Sequence, residues 1–435
     1  MHCIIFRIVL LLLPSVFVVN GSAQEPVDYT RYEGKTITEI RIIGAKYTKH
    51  SVIRNALMSK QGMPFTVFKL HRDYLHLDRL GIFGNFDIRP VLEDNGLILE
   101  VEVKEVFPYL PILSVVLGDE NGLQFGGGVT SINFIKRALY FSGIVLVGGA
   151  TNIEFRFRNP RFAGNRTSYQ IDFYHRNREN LSFNYSEVAD EFYSTLAKMV
   201  GYSGRLGARF NFQSIKSDTV GITLSNNRYD SVPQLAFFFG YDSRSSNTNP
   251  HSGWWNELEI MRSGFLGFDS NFWRFTFDIR RYIPVMSSHK LTVSSLLTMT
   301  TGQVGTDVAT WQQFTLGGTN SIRGWSTGSR TGKNEFINTI EYRYNILEPR
   351  PFNIMGFDLR LGGQIALFAD FGHAWNVSEQ FKLNNFIAGY GAGFRLLVPF
   401  TGLVRLDFAL GESNKGVMLH IGSFEKAHKQ RKRVR

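Results

Sequence analysis

The chain has 435 residues, 43% hydrophobic and 14% aromatic, with 42 glycines, 13 prolines and one cysteine. Its formal charge of +11 would point to nucleic acid, but six of the cations, Lys426, Lys429, Arg431, Lys432, Arg433 and Arg435, crowd the last ten residues. Like charges at that density repel and bury nothing, so 425–435 reads as a solvated basic tail and no nucleic-acid partner is expected.

At the N-terminus, Arg7, an apolar run from Ile8 to Val19 broken by Pro14, and Gly21-Ser22-Ala23 have the layout of a cleaved secretory signal over residues 1–23. The run is short for a membrane span, and no later stretch of about 18 uncharged apolar residues occurs, so a bundle of membrane helices is excluded. Cys3, the only cysteine, lies inside the signal segment. The mature chain then has no disulfide and no thiolate metal site.

After a polar lead-in over 24–36, Ile40 and Ile42 alternate with Glu39 and Arg41 in a half-buried strand that stops at Gly44. Thr48 is placed to cap a short helix through Met58. Thr66 is placed to cap a second, in which Val67, Leu70, Tyr74, Leu77 and Leu80 recur at steps of three and four before Gly81. Two strands follow, Phe83 to Ile88 and Leu99 to Val103, around an Asp94-Asn95-Gly96 turn. The order is β-α-α-β-β. With Ile40-Arg-Ile-Ile-Gly44, Arg79-Leu80-Gly81-Ile82-Phe83, Phe86-Asp87-Ile88 and Leu99-Glu-Val-Glu-Val-Lys-Glu105, residues 37–105 resemble a polypeptide-transport-associated (POTRA) domain. On its strand, Glu100 and Glu102 read as a solvated face.

Beyond Phe107-Pro108 the texture changes. Ile153, Phe155 and Phe157 alternate with Glu154, Arg156 and Arg158; Phe357, Leu359 and Leu361 with Asp358 and Arg360; Val404, Leu406 and Phe408 with Arg405 and Asp407. Charge on every second position cannot face a dry core, but it can face an aqueous lumen while its neighbours face lipid. Residues 106–424 therefore read as a transmembrane antiparallel β-barrel, closed because no other sheet satisfies its backbone in lipid. At roughly twenty residues per strand and connection, this length gives about sixteen strands. Trp254, Trp255, Trp273, Trp311, Trp325 and Trp375 would partly populate interfacial girdles. The irregular stretches Asp242–Gly253 and Val304–Gly332 are expected as loops on the side away from the POTRA module.

Four stretches carry a second resemblance. They are Tyr241-Asp242-Ser243-Arg244 with Asn249-Pro250-His251-Ser252-Gly253; Gly317-Gly318-Thr319 with Ile322-Arg323-Gly324-Trp325; Ala366-Leu367-Phe368-Ala369-Asp370-Phe371-Gly372-His373-Ala374-Trp375; and Gly391-Ala-Gly-Phe-Arg395 through Arg405-Leu-Asp407. Together they are similar to the BamA/TamA family of outer-membrane assembly and translocation proteins. That resemblance implies an outer-membrane protein with its POTRA domain in the periplasm, taking client polypeptides there and inserting or translocating them through a seam between first and last strands. Glycine-rich Gly122–Gly128 fits a poorly zipped seam. Outer-membrane lipid and accessory proteins are the other implied partners. The alternative is a non-catalytic pore or a scaffold for a separately encoded partner such as a patatin-like lipase. Two departures stand out: one POTRA module where assembly members carry several, and a last strand without a closing aromatic, since Val417, Leu419 and Ile421 share one face and Phe424 the other.

The site expected from the residues is a loop anchor. Arg323 offers a permanently charged, planar fork of donors. Asp370 shares lumenal parity with Phe368 and Gly372, against Leu367, Ala369 and Phe371. Arg323 is thus expected to pair with Asp370, or failing that with Glu341, on the inner wall, with Gly324 and Trp325 beside it and Gly372 making room for another backbone. Asp242 and Arg244, with Pro250 and Gly253, form a loop-base motif that reads equally as a lumenal pair or a plain turn cluster. No nucleophile elbow, metal-ligand spacing or phosphate-cradling loop is present, and His373 beside Asp370 lacks partners for catalysis. No catalytic residue, metal or cofactor is expected, and an outer-membrane hydrolase is the least favoured reading.

Overall fold

The computed structural model describes residues 29–423 apart from 79, 94–95, 119–121, 163–165, 247–248, 266, 355–356 and 399–401. The signal segment, the start of the lead-in, Asp94-Asn95, Phe424 and the basic tail lie outside the described residues, as do the side chains of Phe357 to Arg360. Among the described residues no helix is long and apolar enough to cross a membrane.

A small α+β unit comes first: β1 (Ile37–Ile43), α1 (His50–Ala56), α2 (Val67–Asp78), β2 (Phe83–Glu93) and β3 (Gly96–Glu105). The sheet order is β1-β3-β2, with β1 parallel and β2 antiparallel to β3. A register shift between Ile37 and Glu39 turns both Ile37 and Ile40 inward. They pack with Ile53, Leu70, Leu77, Leu99 and Val101 in one core under both helices. Thr66 caps α2 by accepting the Lys69 N–H at 3.2 Å. Thr48 does not cap α1: Lys49 occupies that position without a side-chain bond, and the helix ends at Ala56. The Thr48 hydroxyl is instead taken by Asn133 of the barrel, at 2.7 Å.

The second unit is one sheet of sixteen antiparallel strands. Its first half is β4 (Tyr109–Gly118), β5 (Gly122–Phe134), β6 (Leu139–Gly148), β7 (Thr151–Asn159), β8 (Thr167–Asn180), β9 (Tyr185–Val200), β10 (Gly204–Ser217) and β11 (Tyr229–Asp242). Then come β12 (Gly253–Ser263), β13 (Phe272–Met286) and β14 (His289–Thr300). A long excursion follows, carrying its own small hairpin, β15 (Phe314–Leu316) and β16 (Arg330–Gly332). The wall resumes with β17 (Asn334–Ile354), β18 (Phe357–Trp375), β19 (Ile387–Val398), β20 (Gly402–Leu410) and β21 (Met418–Ser423). Every strand pairs with its neighbour in order, β14 joining β17, and the two ends of the sheet are β4 and β21.

Burial alternates along the wall as a two-residue period demands. On β13, Asp278 and Arg280 are buried while Phe277 and Ile279 are exposed; on β18, Phe368 and Asp370 are buried while Leu367 and Phe371 are exposed. Charge faces inward and hydrocarbon outward, the arrangement of a barrel in lipid. Trp254 and Trp273 lie on the outer face, whereas Trp255 turns inward beneath the guanidinium groups of Arg205 and Arg280.

The POTRA unit sits at the end of the barrel where the chain enters it. Arg161 in the β7–β8 turn donates to the Val52 carbonyl at 2.5 Å, and Arg72 of α2 donates to the Tyr202 carbonyl in the β9–β10 turn. In the β5–β6 turn, Lys136 accepts the Lys49 N–H at 3.1 Å. Strand β18 also reaches β2 and β3. Strand direction then fixes the sides. The excursion from Thr301 to Lys333 opens at the far end, but the Asp242–Gly253 connection follows a strand that returns toward the POTRA unit. Its expected place on the far side is therefore wrong: sidedness follows the parity of crossings, and loop length carries no information about it.

Candidate functional site

The far-end excursion does not stand out in solvent; it folds back inside the barrel. Gly317 and Gly318 take left-handed φ of 110° and 80°, and the Gly318 N–H donates to the Trp325 carbonyl at 2.6 Å, closing a compact turn around Arg323. Ile322 at its tip packs among Leu296, Ile337, Ala374 and Ile387, an apolar collar above the charges.

Below the collar, Arg323 is wholly buried. Its Nε and Nη2 donate to the two oxygens of Asp370 at 2.8 and 3.1 Å, and its own backbone N–H adds a third bond to Oδ2 at 3.0 Å. Nη1 is shared between Glu341 at 3.1 Å and Asp407 at 3.0 Å. The guanidinium plane rests 3.4 Å above the Phe368 ring. The wall supplies further cations. Arg343 and Arg395 both bond Glu341, at 2.6 and 2.9 Å, Arg395 also bonds Asp407, and Arg405 reaches Asp407 at 3.3 Å. Four arginines thus surround three carboxylates, all of them buried in the barrel interior.

Neighbours complete the seat. Gly324, at φ 83°, donates its N–H to His420 Nε2 at 2.9 Å, so that nitrogen carries no proton and the Nδ1 side faces the Thr319 hydroxyl at 3.3 Å. Trp325 Nε1 donates to the Ala388 carbonyl at 2.8 Å, and Ser326 bonds Glu412 through both its N–H and its hydroxyl. A Cβ at Gly372 would meet the backbone carbonyl oxygen of Phe336 at 2.5 Å and the Ile322 side chain at 3.0 Å, so another backbone does pass close beside it. The backbone of the Arg323 loop itself comes closest at Gly389.

The structure brings Arg323, Gly324, Trp325, Asp370 and Glu341 into one cluster. Arg395, Arg405 and Asp407 are read from the sequence as strand residues and not as part of the anchor, and Arg343 and His420 are not singled out at all. Arg395, Arg405 and Asp407 all carry inward parity on β19 and β20, where Arg395 stands opposite Arg405; that parity was the available signal.

The loop-base motif forms a separate cluster at the POTRA end. Asp242 and Arg244 make a two-pronged pair with both bonds at 3.0 Å. Gly253, at φ 110°, lets the turn fold against Ser243. The turn then leans across the lumen: Lys290 of β14 donates to the Pro250 carbonyl at 2.8 Å and to Asn249, and Gln364 of β18 reaches Asn249 at 3.1 Å. His373 lies on the outer face of β18, opposite in parity to Asp370, with Nε2 at 3.0 Å from the Gln380 carbonyl. Among the described residues no group of three metal-ligating side chains converges.

Comparison with known proteins adds to this geometry. A family model described as the Omp85 superfamily domain matches residues 133–422. A POTRA model, described as the surface antigen variable number repeat, matches residues 35–106. No curated protein matches. Among solved structures, the chain is similar to BamA from Haemophilus ducreyi lacking POTRA domains 1–3, at 16% identity and a TM-score of 0.58 over 89% of this chain and 83% of that one. It is also similar to CdiB from Escherichia coli, at 13% identity and 0.60 over 90% and 76%, and to CdiB from Acinetobacter baumannii, at 12% and 0.57 over 90% and 73%. At these identities the likeness is one of fold.

Proposed function

The chain belongs to the Omp85 superfamily, with one POTRA module ahead of its barrel, and from that membership we propose that it inserts or translocates polypeptides at a bacterial outer membrane without catalysing a covalent step. A client docks from the periplasm on the POTRA sheet, whose edge strand β1 pairs only with β3 over Glu39–Ile43 among the described residues. Strand addition to such an edge uses backbone bonds and leaves Glu100 and Glu102 in their ion pairs with Arg41 and Arg89.

The observation that carries the reading is the pair of sheet ends. Every interior strand has two partners, whereas among the described residues β4 and β21 share no ladder. Opening a wall costs least where the fewest backbone bonds must break. Gly126 and Gly128 on β5, next to that edge, sit so close to the β6 backbone that a Cβ would meet carbonyl oxygens at 2.0 Å. The clamp at Arg323 holds the inward loop beside β18, β19 and β20, the strands leading to the other edge.

Depletion of the protein followed by a survey of outer-membrane protein abundance tests this. Loss of several barrels, or of one exported client, is expected. Unchanged abundance of all of them with loss of one bound partner would instead favour a scaffold.

A further inference from the structure

The connection from Asn376 to Phe386, between β18 and β19, opens at the far end like the Arg323 loop, but it folds the opposite way. Phe371, His373 and Trp375 of β18 and Phe336 of β17 all have outward parity, and the connection lies over them. Phe386 stacks on Phe371 with ring centroids 4.6 Å apart and an interplanar angle of 14°, and it also touches His373 at 5.3 Å and Phe336 at 6.1 Å. Phe381 covers Trp375 at 4.6 Å. The His373 to Gln380 bond and the Asn385 Nδ2 bond to the same carbonyl, at 2.7 Å, hold the segment against the outer wall.

Three large apolar side chains on it are uncovered, Val377 at 53%, Phe381 at 50% and Leu383 at 79% exposed, among exposed polar neighbours that include Glu379 and Lys382. These three side chains continue the outward apolar face of β17 to β19, where Ile340, Leu367, Tyr390 and Phe394 are also exposed. Aromatic rings at the rim of such a wall are the pattern of a membrane interface.

We propose that residues 376–386 form a flap that inserts Val377, Phe381 and Leu383 into the outer leaflet of the membrane around the barrel. The partner is the lipid surface itself, because the exposed apolar side chains of the flap, Val377, Phe381 and Leu383, continue the lipid-facing wall. Arg330 of the inward loop donates to the Asn385 carbonyl at 2.9 Å, so the flap and the Arg323 loop are joined across the rim. The inference rests on the membrane placement proposed above.

Nitroxide labels test it in proteoliposomes of the full chain with Cys3→Ser, carried singly at Leu383→Cys, Val220→Cys and Leu367→Cys. Val220, in the β10–β11 connection at the same end, is also 79% exposed and serves as the aqueous reference; Leu367 is the mid-wall reference. The expected result is that Leu383 resembles Leu367, relaxing faster with oxygen than with a water-soluble nickel chelate, while Val220 shows the reverse. A Leu383 label as open to nickel as Val220, with Leu367 still shielded, overturns the flap. Nickel access at all three sites overturns the membrane placement instead.

Discussion

Gly389 on β19 lies under the carbonyl oxygen of Arg323, which a Cβ at that glycine would meet at 1.8 Å. The clash is with backbone on both sides, so no rotamer relieves it. Gly389→Ala is expected to lift the inward loop off the wall while leaving the strands paired. Trypsin added from outside should then cut at Arg323 or Arg330, which wild-type protein protects. Full protection in the variant would mean the loop tolerates the displacement.

Arg323→Ala leaves Asp370, Glu341 and Asp407 short of one buried cation, a change of the kind that costs about 3–5 kcal/mol. Arg323→Lys keeps the charge but cannot span both Asp370 oxygens and reach two other carboxylates, so an intermediate loss is expected. Denaturant unfolding in micelles reads both. Because the partners act as a unit, Asp370→Asn should cost less in the Arg323→Ala background than alone; simple additivity would count against the network.

At the other end, Glu105 accepts the N–H groups of Lys46, Tyr47 and Thr48 at 2.9, 2.7 and 2.5 Å. Burial pushes its pKa upward, but the bonds from Thr48, Tyr47 and Lys46 outweigh it and hold the carboxyl below its usual value. With the folded pKa below the unfolded one, the stabilisation is complete above about pH 4.3 and is lost as pH falls through the folded value. Proteolysis of the POTRA junction should rise in that acid window for wild type. Glu105→Gln should be looser at neutral pH and lack that acid step.

The β5–β6 turn carries Ile135, Lys136 and Ala138 at φ of 51°, 63° and 52°, conformations that cost non-glycine residues about 1–3 kcal/mol each. Asn133 holds the turn by accepting the Ala138 N–H at 2.7 Å while donating to Thr48. Ile135→Gly is expected to stabilise the protein by about 1 kcal/mol. Asn133→Ala should cost about 1–3 kcal/mol by stranding a buried donor. Thermal unfolding followed with a fluorophore attached to the POTRA unit checks both signs.

Asn249→Ala removes the acceptor shared by Lys290 and Gln364, so the turn that leans over the POTRA-side lumen loses its bond to β18 and keeps only the Pro250 carbonyl bond to Lys290 of β14. Single-channel conductance in planar bilayers is expected to rise above that of the wild type. An unchanged conductance would show that this turn does not limit the passage.

What could be read from the sequence depended on how local each signal was. The two-residue alternation on β7, β18 and β20 is complete within one strand, and it revealed the barrel. The β-α-α-β-β order and its motifs revealed the POTRA unit, and the strand count followed from length. Register and sidedness are not local. Arg395 meets Asp407 only because β19 and β20 pair with Arg395 opposite Arg405. The Asp242–Gly253 turn was misplaced because its side depends on every crossing before it. Thr48 looked like a helix cap because Asn133, 85 residues on, gives no sign of itself nearby in the chain.

The strands of the wall are unequal: β6 and β7 have 10 and 9 residues, β17 and β18 have 21 and 19. At about 3.3 Å per residue, β7 runs only about 30 Å along its axis and β18 about 60 Å. A cylinder with so oblique a rim has no single girth of hydrocarbon to offer its surroundings. In the proposed membrane placement, lipids beside its low flank compress to meet it, and the thinned crescent adjoins the β4 edge.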